Sequence, residues 1–280
     1  MFERNGYVKL DNVLTQSEVN ELLKIHSEAE DSEKYEAKKD KYFGRFSFKD
    51  KCLVENIRTQ TFNILTPILD RNVDTSVAFM PLGGGYCINP PHSIEGCFPH
   101  QDPSSVDEVE FYSMSMWISL TDMNAQNGCL HIIPGSHLWG NLCRNINYTW
   151  AFNDFNDKLW DFLIPIPLKA GDILFFDFST IHASSKNTTD KSRIGLNVPI
   201  LPIHAQKFCF YPAKSINKIM QKLDVYTIDE KYFTEENETE RPSSKYAIVK
   251  SMKINNQYSM KNIKNLIKEF NEKDRFSDGK

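Results

Sequence analysis

The sequence lacks long hydrophobic runs, paired cysteine motifs and a large excess of either charge. No apolar stretch among the 280 residues approaches the roughly 18 that a membrane-spanning helix needs. The opening MFERNGYVKLDNV lacks the apolar segment of a signal peptide, and the six cysteines form no CxxC pair. We therefore expect free thiols in a cytoplasmic protein. A formal net charge of −4 gives no reason to expect nucleic acid as a partner.

Short strand-like segments fill the middle of the chain. They are rich in β-branched and aromatic residues, and Pro, Gly, Asn and Asp separate them. They read SVAFM, YCIN, FYSMSMWISL, GCLHII, GDILFFDF and RIGLNVPIL. Runs this short and frequent favour a sandwich or barrel over βαβ units. We predict one domain over residues 1–280, mainly β with flanking helices, whose core spans residues 76–202.

The two flanks of this β region differ from it in composition. Residues 1–75 are predicted to form a short strand and two supporting helices, the first beginning with the capping-box spacing of Thr15 and Glu18. Beyond residue 203 the β pattern fades, so residues 203–280 are predicted to be a C-terminal extension, either a lid or a tail. One face of a short peripheral helix is predicted at Met260, Ile263, Ile267 and Phe270.

The stretch CFPHQDP contains two metal-ligand residues, His100 and Asp102, with one residue between them. On an extended chain the side chains of residues i and i+2 point to the same side, so both can bind one metal. His182, which follows the strand-like GDILFFDF, is the candidate third ligand. Two histidines and one carboxylate on a β scaffold form the facial triad of a non-haem Fe(II) site. Without His182 and Arg193, a surface turn is the commoner explanation of such a pair.

Arg193 follows His182 by 11 residues and opens the strand-like RIGLNVPIL. The open positions of a facial triad suit 2-oxoglutarate and O2, and the far carboxylate of 2-oxoglutarate then needs a cation deeper in the barrel. A guanidinium is always charged and pairs with carboxylates through two hydrogen bonds. Ser184 lies two residues after His182, so it faces the same side and could donate a further hydrogen bond.

These motifs, in this order, resemble the phytanoyl-CoA dioxygenase family of Fe(II)- and 2-oxoglutarate-dependent oxygenases. The resemblance covers roughly residues 2–202 and includes HQD, NGCLHIIPGSH, GDILFFDFSTIHASSKN and SRIGLNV. It implies a double-stranded β-helix, the jelly roll of cupin-like proteins. It also implies that His100, Asp102 and His182 bind the iron.

The resemblance extends to the cosubstrate pocket. It implies that Arg193 and Ser184 bind the C5 carboxylate of 2-oxoglutarate. Gln101 and Trp117 match family positions that line the pocket, although core packing explains Trp117 equally well. Tyr86 matches a further pocket position more loosely. These five residues are the predicted cofactor-binding set.

The resemblance leaves the reaction and the substrate open. Related halogenases replace the carboxylate ligand, so the presence of Asp102 favours hydroxylation of a small-molecule C–H bond, with release of succinate and CO2. The same cofactors could instead support desaturation, cyclisation, epimerisation or endoperoxide formation, and a binding protein without turnover is a third alternative. A basic residue before the barrel, Arg45 or Lys49, could assist 2-oxoglutarate. A monomer and a homodimer are both compatible with the sequence.

Overall fold

The computed structural model describes most of the chain. The described residues are 2–30, 51–72, 79–81, 85–140, 143–144, 152–215, 220–229, 231–232, 236, 240–255 and 258–277. Arg45 and Lys49 lie outside these ranges. None of the helices within these ranges is long and apolar enough to cross a membrane.

Antiparallel strands dominate the described part of the chain. The strands are β1 (Tyr7–Leu10), β2 (Phe79–Pro81), β3 (Gly85–Asn89), β4 (Cys97–His100), β5 (Met114–Ser119), β6 (Leu130–Ile132), β7 (Ile164–Pro165), β8 (Ile173–Asp177), β9 (His182–Ser184), β10 (Arg193–Pro202), β11 (Lys207–Ser215), β12 (Met220–Ile228) and β13 (Ile248–Asn255). The helices are α1 (Phe2–Asn5), α2 (Gln16–Glu30), α3 (Lys51–Asn72), α4 (Asn156–Leu159) and α5 (Met260–Ser277).

Two sheets pack face to face and form the predicted jelly roll. The major sheet has the order β1-β8-β5-β10-β2, and β3 also pairs with β10. The minor sheet has the order β4-β9-β6-β7. One buried cluster joins the inner faces of the two sheets, with Trp117 and Leu174 from the major sheet and Leu130 and Ile132 from the minor sheet. The candidate active site lies on these inner faces.

Helices α2 and α3 cover the outer face of the major sheet. Leu22 and Leu65 of the helices are fully buried against Ile118 and Leu196 of the sheet. Both faces of this sheet are therefore covered, which explains why its strands are rich in hydrophobic residues.

The predicted capping box at the start of α2 is confirmed. The backbone N–H of Thr15 donates to the Glu18 carboxylate at 2.7 Å, and the N–H of Glu18 donates to Thr15 Oγ1 at 3.3 Å. Two N–H groups that the first helical turn leaves unsatisfied thus gain partners.

The prediction that β structure fades after residue 203 is wrong. Strands β11, β12 and β13 form a third antiparallel sheet of three strands. Lysine and aspartate residues interrupt these strands, as in MQKLDVYTI, and obscure the alternation. Leu223 and Val225 nevertheless pack into one buried cluster, and Tyr226 and Ile228 pack into another. The predicted peripheral helix exists as α5, and its Ile263 is fully buried against the cluster behind the minor sheet.

Candidate active site

The three predicted metal ligands lie together where β4 and β9 meet. The two strands pair with His100 opposite His182, and Asp102 lies two residues after His100, which ends β4. The ring centroids of the two histidines are 4.2 Å apart, and His182 Nε2 lies 3.8 Å from Asp102 Oδ1. All three residues can present ligand atoms that lie within 4.8 Å of one another. The fold thus converts a local pair and a distant histidine into one cluster.

Backbone carbonyl groups set the orientation of both imidazole rings. Nδ1 of His100 lies 2.9 Å from the Phe98 carbonyl oxygen, and Nδ1 of His182 lies 2.9 Å from the Thr180 carbonyl oxygen. A carbonyl oxygen can only accept, so each Nδ1 carries the proton and donates it. Each Nε2 then keeps its lone pair for a metal, which is the arrangement that metal-binding histidines usually show.

The Asp102 carboxylate is held by a residue that the sequence did not single out. The Ser115 hydroxyl donates to Asp102 Oδ2 at 2.7 Å, while Oδ1 is the oxygen near His182. Ser115 is completely buried in β5, two residues before Trp117, so both side chains face the interior. The available signal was a serine among the apolar residues of β5, and Ser119 in the same strand carries the same signal. Two imidazole nitrogens and one carboxylate oxygen fit the donor set of non-haem Fe(II).

Arg193 is completely buried at the start of β10. Its Nη1 donates to the Cys87 carbonyl oxygen at 3.1 Å, and its Cζ lies 5.3 Å from the centroid of the Trp117 ring. A guanidinium keeps its charge even where burial is costly. A carboxylate that enters this interior therefore gains a strong, charge-assisted partner.

Trp117 faces the interior beside this guanidinium. Its indole Nε1–H is buried and has no hydrogen-bond partner within the described part of the chain. An indole N–H can only donate, so the group that satisfies it must be an acceptor. Together the Trp117 N–H and the Arg193 guanidinium suit a carboxylate, as the far end of 2-oxoglutarate requires. Core packing and cosubstrate contact are compatible roles for Trp117. The ring packs in the core cluster, while its N–H is left for an acceptor.

Ser184 faces the same interior side as His182. It is completely buried, and its Oγ accepts a hydrogen bond from the Cys97 N–H at 3.3 Å. The hydroxyl is the acceptor in this bond, so its own proton remains available to a ligand.

Gln101 connects the segment that contains Asp102 and continues to Glu108, here called the metal loop, to the turn before His182. Its side-chain amide donates to the Ser179 carbonyl oxygen, and the Asp102 N–H donates to the Phe178 carbonyl oxygen at 2.9 Å. These bonds fix the separation between Asp102 and His182. The observed contact is therefore a positioning one, and lining of the pocket by Gln101 stays a prediction.

The predicted pocket role of Tyr86 is wrong. Its hydroxyl donates to the Leu22 carbonyl oxygen of helix α2 at 2.8 Å, and the ring packs in the cluster between helices and major sheet. Tyr86 pairs with Leu196, which faces the helices, whereas the neighbouring Cys87 lies in the cluster between the two sheets. Burial raises the pKa of Tyr86 to about 12, so the phenol stays neutral and stabilises the helix packing.

Comparison with known proteins identifies the family of this chain. The family model for phytanoyl-CoA dioxygenase (PhyH) matches residues 2–195. The chain belongs to the phytanoyl-CoA dioxygenase family. Phytanoyl-CoA dioxygenase domain-containing protein 1 of Danio rerio is 34% identical over 106 residues, which are 34% of this chain and 35% of that relative. The match thus spans about a third of the relative's length.

Solved structures share the fold at low sequence identity. The non-haem alpha-ketoglutarate-dependent carbocyclase SnoK from nogalamycin biosynthesis is 22% identical with a TM-score of 0.52, over 74% of this chain and 83% of SnoK. The epimerase SnoN from the same biosynthesis is 19% identical with a TM-score of 0.55, over 74% of this chain and 82% of SnoN. The predictions of the phytanoyl-CoA dioxygenase family and of the jelly-roll fold are confirmed.

Proposed function

We propose that this member of the phytanoyl-CoA dioxygenase family hydroxylates a C–H bond of a small molecule, with Fe(II), 2-oxoglutarate and O2. One observation carries the proposal. The described interior holds a two-histidine, one-carboxylate cluster together with a buried guanidinium and an unpartnered indole N–H. The cluster suits Fe(II), and the donors suit the far carboxylate of 2-oxoglutarate.

Each residue has a distinct task in this proposal. His100, Asp102 and His182 hold the iron through Nε2, a carboxylate oxygen and Nε2. Arg193, Trp117 and Ser184 bind and orient 2-oxoglutarate by donating to its carboxylate. With iron bound there, O2 would be the oxidant: one oxygen atom would be taken up as 2-oxoglutarate is oxidised to succinate and CO2, and the other would enter the substrate C–H bond.

The proposal also specifies the reaction that follows C–H cleavage. Asp102 occupies the carboxylate position, which favours hydroxylation over halogenation. The names of SnoK and SnoN describe a carbocyclase and an epimerase, so cyclisation or epimerisation is the second candidate outcome. A binding protein without turnover is disfavoured because the complete ligand set is retained. The substrate placement beside the iron decides among these outcomes.

The cellular setting is also part of the proposal. The described cysteines at positions 87, 97, 129, 143 and 209 are free thiols, which supports the reducing cytoplasm. We propose a small molecule as substrate and no nucleic acid partner. Monomer and homodimer remain equally compatible with the chain.

Anaerobic titration tests the cofactor assignment. Fe(II) and 2-oxoglutarate added to the protein should produce a weak visible charge-transfer band, and His100→Ala or Asp102→Ala should abolish it while the far-UV circular dichroism stays unchanged. His92→Ala is the matched control, since His92 is exposed and pairs with Asp190 at 2.8 Å. Wild-type protein that binds neither iron nor 2-oxoglutarate would contradict the proposal.

The reaction itself needs a second measurement. Succinate release with O2 should rise when a substrate from a small-molecule library is present, and mass spectrometry of that substrate should show the addition of one oxygen atom. A loss of two hydrogens would instead indicate cyclisation or desaturation, and an unchanged mass with altered stereochemistry would indicate epimerisation.

A further inference from the structure

Arg144 contacts the backbone of the candidate iron ligand Asp102. Its Nε–H donates to the Asp102 carbonyl oxygen at 2.7 Å, and its Nη2 donates to Glu108 Oε1 at 2.6 Å. Both charged side chains are buried, with 5% of Arg144 and 10% of Glu108 exposed. The guanidinium therefore bridges the start of the loop after Asp102 to a residue six positions further on.

A reciprocal pair of hydrogen bonds reinforces this bridge. The Arg144 N–H donates to Ser104 Oγ at 3.1 Å, and the Ser104 N–H donates to the Arg144 carbonyl oxygen at 3.2 Å. Arg144 is thus bound to the metal loop through its main chain as well as its side chain.

The third sheet covers the same segment. The Phe208 N–H of β11 donates to the Ser105 carbonyl oxygen at 2.8 Å, and Cys143 Sγ lies 3.9 Å from Met252 Sδ of β13. Cys143 packs with the buried Phe210 and Leu223 of the same sheet. This sheet follows residue 195, where the family match ends, so these contacts connect the C-terminal extension to the metal loop.

The contacts of Asp102 explain why such a bridge matters. Its N–H donates to Phe178, its carbonyl oxygen accepts from Arg144, and its Oδ2 accepts from Ser115. The oxygen that lies near His182 is Oδ1. Main-chain bonds on both sides of the residue restrict its φ and ψ angles and thereby fix the direction of this oxygen.

We propose that Arg144 is a positioning residue for Asp102, and that the third sheet holds Arg144 in place. The inference rests on the proposed iron site. A buried ion pair adds little net stability, because desolvation offsets most of the attraction. The Arg144–Glu108 pair therefore suits the placement of a ligand better than the stabilisation of the fold. Glu108 accepts from Nη2 and orients the guanidinium so that Nε faces Asp102.

Cobalt binding tests the proposal without any substrate. Arg144→Met keeps much of the side-chain length and removes both donors. Loss of a partner that orients a metal ligand typically weakens metal affinity by about 10–100-fold, and we expect this for Co(II), together with altered visible d–d bands. Arg144→Lys keeps the charge but can reach only one partner at a time. Its Co(II) affinity should therefore lie between those of the wild-type protein and Arg144→Met. Glu108→Gln keeps an acceptor for Nη2 and should change the affinity least.

Arg241→Met is the matched control. Arg241 pairs with Asp224 at 3.0 Å in the third sheet, and no described contact connects it to Asp102. It should lower the melting temperature slightly and leave Co(II) affinity and spectrum unchanged. If Arg144→Met fails to fold, Arg144→Lys carries the comparison.

Two results would overturn the proposal in distinguishable ways. If the folded Arg144 variants bind Co(II) with wild-type affinity and spectrum, Arg144 is only structural, even if they melt at a lower temperature. If the wild-type protein binds no Co(II), the iron site itself is wrong, and the inference fails with it.

Discussion

The indole ring of Trp117 lies in the space that a side chain at Gly195 would need. A Cβ added at Gly195 would come within 2.6 Å of Trp117 Cζ2. The same ring lies 5.3 Å from the Arg193 guanidinium carbon. Because glycine occupies position 195, the Trp117 ring can lie against β10 beside the Arg193 guanidinium. The indole N–H and the guanidinium therefore lie in the same part of the interior.

Gly195→Ala should therefore disturb both packing and cosubstrate binding. Overpacking of a buried site typically costs about 1–3 kcal/mol, so the free energy of unfolding in urea should fall by this amount. The displaced indole should also weaken 2-oxoglutarate affinity in an anaerobic titration. Gly85→Ala is the control, since an added Cβ there meets nothing within 4 Å. Equal effects of the two substitutions would contradict the role of the Trp117 ring.

Ser115→Ala should weaken metal binding more than it weakens the fold. It removes the donor to Asp102 Oδ2, and such losses typically reduce metal affinity by about 10–100-fold. Isothermal titration with Co(II) measures the affinity, and urea unfolding measures the stability. Ser119→Ala is matched, because Ser119 is also fully buried in β5 but donates to the Thr121 carbonyl oxygen at 2.7 Å. Metal affinities that match between these variants would exclude a role for Ser115 at the metal.

Tyr86→Phe and Trp117→Phe should differ in their effect on 2-oxoglutarate affinity. Loss of the Tyr86 hydroxyl removes its bond to Leu22 and should cost about 0.5–1.5 kcal/mol of unfolding free energy, with unchanged 2-oxoglutarate affinity. Trp117→Phe removes the indole N–H and should weaken 2-oxoglutarate binding, and the cavity that it leaves in the core cluster should also lower the free energy of unfolding. Reduced 2-oxoglutarate affinity in Tyr86→Phe, measured in the same anaerobic titration, would restore its pocket role.

The Tyr86 assignment came from a loose family match, and the alternation of residues along the strand could not correct it. Alternation correctly placed His182 and Ser184 on one side of β9, because that inference needs only their spacing. For β3 the pattern cannot tell the two faces apart, since helices cover one face of the major sheet and the minor sheet covers the other. A shift of one residue exchanges the faces, which is the difference between Tyr86 and Cys87.

The contacts of Ser115 and Arg144 with Asp102 could not be predicted from the sequence for a different reason. Ser115 and Arg144 reach Asp102 across 13 and 42 positions, and those contacts depend on sheet register and on how the third sheet packs. HxD and the distant histidine could be predicted because metal chemistry restricts both residue types and local spacing. Ordinary serines and arginines carry no such restriction, so the residues that position the ligands emerge only from the fold.

Asp172 should make the stability of this protein sensitive to acid. Its buried carboxylate accepts from the backbone N–H groups of Asn12 at 2.9 Å and Lys169 at 2.8 Å, and it pairs with Lys9 at 3.1 Å. Burial alone would raise the pKa of Asp172, but these hydrogen bonds and the lysine charge outweigh it and hold the pKa below its usual value. The unfolded chain therefore binds the proton more tightly than the folded protein.

The sign of the effect follows from this depressed pKa. The stabilisation is complete above the ordinary aspartate pKa and is lost as the pH falls through the lower, folded-state value. Asp172→Asn should cost about 1.5–3 kcal/mol at neutral pH, as expected for hydrogen bonds to a charged group, and should flatten the acid dependence. Urea unfolding from pH 7 into the acid range measures both. Asp11→Asn is the control, because Asp11 pairs with the same Lys9 but is 66% exposed, and exposed pairs contribute little. If Asp172→Asn lost stability in parallel with the wild-type protein on acidification, the depressed pKa would not be the cause.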